Sequence, residues 1–561
     1  MSKFVIYQVI PRLFGNYNTT NKYNGSIEDN GCGKFNSFTD KALNEIKELG
    51  VSHIWYTGVI EHATQTDYSQ YGIQKDHPGV VKGKAGSFYA IKDYYDVDPD
   101  LAENVTNRMF EFEQLVQRTH DAGMQVIIDF VPNHVARNYC SDAKPQGVKD
   151  FGETDNPEWA FSPLNNYYYL PNQSFTPQFN ALEYHEYPAK VTGNDQFSAS
   201  PGLYDWYETV KLNYGVNYQG GGQKQFDPIP NTWHKMLEVL MYWSSKKIDG
   251  FRCDMAEMVP VEFWDWALTQ IKAKYPKIIF IAEVYNPSLY HTYVTQGKFD
   301  YLYDKVGMYD ILRNVSSRYL SATKISTVWQ KLGGLEPIML NFLENHDAQR
   351  IGSGFYSGTG FYAHPAMIVS ATLTKAPVMI YFGQELGELG MDAEGFSGVD
   401  GRTTIFDYWG IKSIQAWANN GAFDGSNLTQ DQKELRQFYK ELLHICVNEK
   451  SISQGLMFDL AYANFENSNF NSNKEFVFMR MHKDDLTLII VNFDDKCIDT
   501  EVIIPNDAFE YLGVKEFKTY KCCDLLDKKT KYTDIILSPN DRFKTIMQPW
   551  SGKIFKLSLK E

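Results

Sequence analysis

Between Gln125 and His134 the chain reads QVIIDFVPNH. The run through Ile128 is β-branched without polar alternation, which predicts a strand buried on both faces rather than one with a wet side. Before it stands VTNRMFEFEQLVQRTHDAG, a helical pattern that closes on Gly123. A glycine suits that place because a left-handed residue ends a helix. After the strand come Pro132, Asn133 and His134. Helix, buried strand and polar strand end together make half of a parallel βαβ unit.

The same unit recurs. Further runs of this kind begin at Phe4, His53, Ile248, Ile278, Phe299, Pro337 and Pro377, which brings the strands to eight. Helical patterns such as FTDKALNEIKELG, ending on Gly50, and VEFWDWALTQIKAKYP separate them. Eight parallel strands joined by helices predict an α/β fold, a (β/α)8 TIM barrel. A doubly wound open sheet is the rival, but it usually carries a Gly-rich phosphate turn after its first strand. Here Pro11, Arg12, Leu13 and Phe14 follow instead.

About a hundred residues separate the third run from the fourth, and they are rich in Asn, Tyr, Pro and Gly. A structureless loop of that length is improbable, so an inserted domain is expected after strand 3. Beyond LTQDQKELRQFYKELLHICVNEK the pattern changes to alternating strands, as in FVFMRMH and LTLIIVNF. The expected division is residues 1–134 for the first part of the barrel, 135–230 for the insertion, 231–455 for the rest of the barrel, and 456–561 for a C-terminal antiparallel β-sandwich.

Composition narrows the partners. With 561 residues, 43% hydrophobic and 15% aromatic, the chain is globular and long enough for several domains. A net charge of −15 argues against nucleic acid, whose binding depends on neutralised phosphates. No apolar stretch approaches the roughly 20 residues that span a bilayer, so no membrane is expected. The start, MSKFVIYQVIPRLF, reads as a strand rather than a secretory signal, since Gln8, Pro11 and Arg12 interrupt it. Seven cysteines without a repeated spacing suit a cytoplasmic location. The aromatic excess suits sugars, whose flat C–H faces stack on rings.

In a barrel of this kind the chemistry belongs at the C-terminal strand ends. Those ends hold Asp129, Asn133 and His134 on the third strand, Arg252, Cys253 and Asp254 on the fourth, Glu283 on the fifth, and Asn345, His346 and Asp347 on the seventh. Three carboxylates around one mouth, without a Ser–His pair or a Cys–His metal cluster, suit glycosidic bond cleavage. That reaction needs one ionised carboxylate and one protonated acid across the sugar.

The segments DFVPNH from Asp129, GFRCD from Gly250, AEVY from Ala282 and FLENHD from Phe342 resemble, in order and placement, the four signature regions of the α-amylase family. That is glycoside hydrolase family 13, a group of retaining hydrolases and transglycosidases. The resemblance runs from about Val5 to Glu385, and the tail suits the family's C-terminal β-domain. It implies that Asp254 is the nucleophile, Glu283 the general acid and base, and Asp347 the third carboxylate that holds the distorted sugar. Arg252 would keep Asp254 ionised. His134 and His346 would donate to the same ring, and Tyr89 would stack beneath it. The substrate implied is an α-glucan or malto-oligosaccharide.

The sequence also departs from the family. Met255, Ala256, Glu257 and Met258 follow Asp254 where starch-cleaving amylases carry a Lys-His pair. Tyr285 stands where many members have Trp, and Ser87-Phe88 replaces His-Gly before Tyr89. No cofactor is required by the chemistry. The family often holds calcium on an Asn that Asn133 matches, but Lys211 stands where the insertion normally supplies an Asp, and an ammonium disfavours a cation there. Three functions remain open: hydrolysis of maltodextrin or starch-type glucans, transglycosylation or isomerisation on the same barrel, and non-catalytic carbohydrate binding. The residues leave the oligomeric state and the linkage preference open.

Overall fold

A computed structural model describes residues 3–527, 529 and 531–560. All eight expected runs become strands of one closed parallel barrel. They are β1 Val5–Val9, β2 His53–Tyr56, β3 Gln125–Phe130, β4 Gly250–Cys253, β5 Ile279–Ala282, β6 Tyr301–Tyr303, β7 Met339–Phe342 and β8 Val378–Tyr381. Each pairs in parallel with the next, and β8 returns to β1 through Val5 opposite Val378.

Alternation along the strands divides two cores. Ile6, Trp55, Ile127, Ile281, Leu340 and Met379 meet inside the barrel. Their neighbours Val5, Tyr7, Ile54, Tyr56, Val126 and Ile128 join the layer beneath the helices. Because side chains repeat every second residue, Gln8, Asp129 and Glu283 follow Ile6, Ile127 and Ile281 on the inward side, one step nearer the C-terminal mouth. Arg252 lies beside Asp129 in register. A polar layer therefore caps an apolar one.

The helices form for local reasons. Asp40–Lys47 starts at Thr39, whose side chain accepts from Ala42 N–H, and it buries Ala42, Leu43 and Ile46. Fully burying such a Leu or Ile contributes about 1.5–3 kcal/mol. Gly50 and Gly123 both adopt the left-handed conformation expected after their helices, at φ 90° and 74°.

The run from His53 differs from its expectation as one strand. β2 stops at Tyr56, and Ile60–His62 turns away to pair antiparallel with Ile91–Val97. Gly58 makes the break at φ 78°, with Phe88 so close that a Cβ there would lie 2.4 Å from its ring. The resulting hairpin carries Tyr89 to the mouth.

Between β3 and β4, His134–Ala136 pairs with Thr209–Lys211 and Tyr169–Leu170 with Ala189–Lys190. Tyr168, Leu170, Phe175, Ala189 and Val191 form a small apolar cluster of their own there. After helix Gln430–Asn448, the tail builds β9 Leu456–Asp459, β10 Glu475–His482, β11 Asp485–Asn492, β12 Ile498–Ile503, β13 Lys518–Asp524, β14 Thr533–Leu537, β15 Arg542–Met547 and β16 Ser551–Leu559. Six of these form an antiparallel sheet in the order β9, β10, β11, β16, β13, β14, and β12 pairs with β15. No helix among the described residues is long and apolar enough to cross a membrane.

Candidate active site

A cavity of about 370 Å³ opens at the C-terminal end of the barrel, within the range of about 300–1,000 Å³ usual for small-molecule sites. Tyr89, His134, Asp254, Glu283, His346 and Asp347 all line it. Arg252 stands beside Asp254, paired with it at 2.7 Å. It is 0% exposed and lies beneath the cavity floor, so it acts on the carboxylates rather than on a ligand.

Arg252 is the hub of the floor. Its Nη1 donates to Asp254 Oδ1 at 2.7 Å and to Asp129 Oδ1 at 3.3 Å, and Nη2 stands 2.7 Å from Glu283 Oε2. Nε donates to Tyr303 Oη at 3.2 Å. The guanidinium sits against the rings of Trp55, Tyr89 and Tyr303, which keep water from it. Burial raises the carboxyl of Asp254 well above the usual carboxylate range, and Glu283 adds to the rise, while Arg252 pulls in the opposite direction.

Glu283 is held at both oxygens. Tyr285 Oη donates to Oε1 at 2.6 Å, and the backbone N–H of Met255 donates to Oε2 at 2.7 Å. Met255 is left-handed, with φ 41°. A non-glycine residue in that region carries about 1–3 kcal/mol of strain, and here the unusual turn aims its N–H at the acid. Glu257, in place of a Lys-His pair, accepts from the N–H groups of Tyr285 and Asn286 and so ties the loops after β4 and β5 together.

On the opposite wall a relay fixes His346. Gln8 Nε2 lies 2.8 Å from Nδ1, and Tyr89 Oη lies 2.6 Å from Nε2. That nitrogen also stands 3.1 Å from Asp347 Oδ2. The side chain of Asp347 is 49% exposed at the cavity rim. His346 beside it brings its carboxyl down to about 2. Burial and the charge of Lys211 lower His134 to about 3, so it is neutral at ordinary pH.

Gln8 entered the sequence reading only as an interruption of an apolar run, and Asp129 had no assigned role. Asp129 accepts from Trp55 Nε1 at 2.9 Å as well as from Arg252. The mouth was also unread. Lys82, Trp206 and Glu208 line one side, with Lys82 Nζ 3.0 Å from Glu208 Oε2. The Trp206 ring stands 5.2 Å from that of His134. Ile405 and Phe406, from the segment after β8, also line the cavity, and Phe406 O accepts from Ala85 N–H close to Lys82. The aromatic richness of the insertion was the one signal that pointed toward Trp206.

The residues at Asn133 do not fit a divalent cation. Lys211 Nζ donates to Asn133 Oδ1 at 2.8 Å and pairs with Asp195 at 2.5 Å, while Asn133 Nδ2 donates to Gly193 O. An ammonium already holds the oxygen that a metal would need.

Comparisons with known proteins agree with this geometry. A family model described as the alpha amylase catalytic domain matches residues 8–445. A cyclomaltodextrinase of Thermoanaerobacter pseudethanolicus is 21% identical over 536 residues, covering 92% of this chain and 75% of that protein. An alpha-amylase of Streptomyces lividans is 25% identical over 415 residues, which span 68% of this chain and 42% of that longer protein. Among solved structures, a maltogenic alpha-amylase from Thermotoga neapolitana superposes with a TM-score of 0.63 at 19% identity, covering 99% of both chains.

Proposed function

Because this chain belongs to the alpha-amylase family, we propose that it is a retaining glycoside hydrolase that cleaves maltodextrin or related starch-type α-glucans. A carboxylate oxygen of Asp254 attacks the anomeric carbon. The bond to the leaving sugar oxygen breaks, and Glu283 gives that oxygen its proton. In the second step Glu283 takes a proton from water while the water oxygen displaces Asp254, which returns the α configuration and both acids to their starting forms. Asp347 and the histidines hold the hydroxyls of the distorted ring, and Tyr89 supports it from below. The enzyme works without calcium at Asn133.

The observation that carries this reading is the position of one guanidinium, 2.7 Å from Asp254 Oδ1 and 2.7 Å from Glu283 Oε2, below a cavity that both acids share with Asp347. Purified protein incubated with maltose, maltotriose, amylose, pullulan, cyclodextrin, sucrose and trehalose tests it. Proton NMR should show the α-anomer as the first product from maltotriose or longer α-glucans. Products longer than the substrate would assign the second step to a sugar acceptor in place of water. A β-anomer as first product, or no cleavage of any of these sugars, would overturn the proposal.

A further inference from the structure

Away from the cavity floor, Glu61 is a buried carboxyl without a partner. It is 1% exposed, and neither of its carboxylate oxygens has a hydrogen-bond partner. It stands directly across the antiparallel hairpin from Asp93. Asp142, from the root of the 135–230 segment, completes a group in which one oxygen of each residue lies within 4.8 Å of the others. The neighbouring cations are engaged elsewhere. Lys92 pairs with Asp76 at 3.1 Å, and Arg108 pairs with Asp96 at 2.6 Å while reaching Asp142 only at 3.4 Å.

We propose that Glu61, Asp93 and Asp142 bind one calcium ion, which fastens the Tyr89 hairpin to the root of the inserted segment. Burying a carboxylate with no partner is costly, and a cation between the three acids removes that cost. The donor set is all hard oxygen, which suits calcium or magnesium rather than zinc. Calcium accepts flexible sets of about six to eight oxygens at about 2.3–2.6 Å, whereas magnesium demands a near-ideal octahedron at about 2.0–2.1 Å. Asp93 is already aimed by Tyr95 N–H and Ser141 Oγ on Oδ1 and by Ala143 N–H on Oδ2, and Oδ2 keeps a lone pair. Asp142, 28% exposed at its side chain, leaves a path from solvent. Without the ion, burial and then the charges of Asp93 and Asp142 push the carboxyl of Glu61 well up. The site is separate from Asn133, where Lys211 sits.

The competing account is that Glu61 simply keeps a proton and shares it with Asp93. Full-length protein stripped with EDTA and titrated with calcium chloride or magnesium chloride distinguishes the two, using calorimetry and thermal melts. One equivalent of calcium should bind with a Kd below about 1 mM, more tightly than magnesium, and raise Tm. Terbium should bind at the same place, show emission sensitised by Tyr95, and be displaced by calcium. Glu61→Gln should weaken calcium at least tenfold. Asp142→Asn, at a partly exposed position that spares the core, should weaken it severalfold and decides the matter if the first variant does not fold. Absence of binding at about 10 mM calcium, or unchanged affinity in the variants, would overturn the proposal. So would a rise in Tm for Glu61→Gln in EDTA with no calcium effect on the parent protein.

Discussion

Tyr285 Oη donates to Glu283 Oε1 at 2.6 Å. The bond supports the charged form of the acid, which exists after it has given up its proton. A hydrogen bond to a charged group is worth about 1.5–3 kcal/mol. Tyr285→Phe should therefore lower kcat about tenfold to a hundredfold on malto-oligosaccharides. On an aryl glycoside whose leaving group needs no proton, the loss should be small. Steady-state kinetics on the two substrates reads the difference, and equal losses on both would refute this role.

Asp254→Asn should lower kcat by about a thousandfold or more, with substrate binding kept. Its stability should move the other way. Three buried acids, Asp129, Asp254 and Glu283, share one guanidinium, so removing one charge relieves repulsion. Thermal melts at neutral pH should show a Tm equal to or above that of the parent protein. A large drop in Tm would mean that Asp254 serves mainly to hold the fold.

The acid limb of the pH profile follows from Asp254. Burial raises its carboxyl, and the attacking form is the ionised one. Activity present at neutral pH should thus be lost as pH falls through that raised value, above the ordinary aspartate value of about 3.9. Asp347, at about 2, stays ionised and adds no limb in this window. Measuring kcat/KM from pH 3 to 9 at constant ionic strength checks both points. A limb at or below the ordinary value would contradict the assignment.

Lys211→Met should cost about 1–3 kcal/mol by leaving the buried Asn133 oxygen without its donor. Urea denaturation at fixed pH measures the loss. An unchanged midpoint would show that the ammonium is dispensable.

Trp206→Ala removes an aromatic surface from the cavity wall beside His134. KM should rise roughly tenfold, about 1.4 kcal/mol, with kcat nearly unchanged, because such a contact is made equally before and during reaction. A fall in kcat without a change in KM would place this ring in the chemistry instead.

The barrel was legible because each strand is buried on both faces and so carries a dense β-branched run between helices. The acids were legible because they stand at the ends of those runs. What stayed hidden depends on contacts between distant segments. Gln8 meets His346 across 338 residues, and no local pattern marks that meeting. Asp129 and Asp254 look alike in sequence, yet Asp254 lines the cavity while Asp129 accepts from Trp55 and Arg252 and does not line it. The break at Gly58 was missed for a related reason. An apolar run continues through it, and only the packing of Phe88 against the glycine shows that the chain must turn.

The reacting groups stand on the ends of rigid strands, while Lys82, Trp206, Glu208, Ile405 and Phe406 reach the rim from three separate excursions. A library that randomises those excursions can search for new diets without disturbing Asp254 and Glu283, since the two sets of residues share a space but not a scaffold.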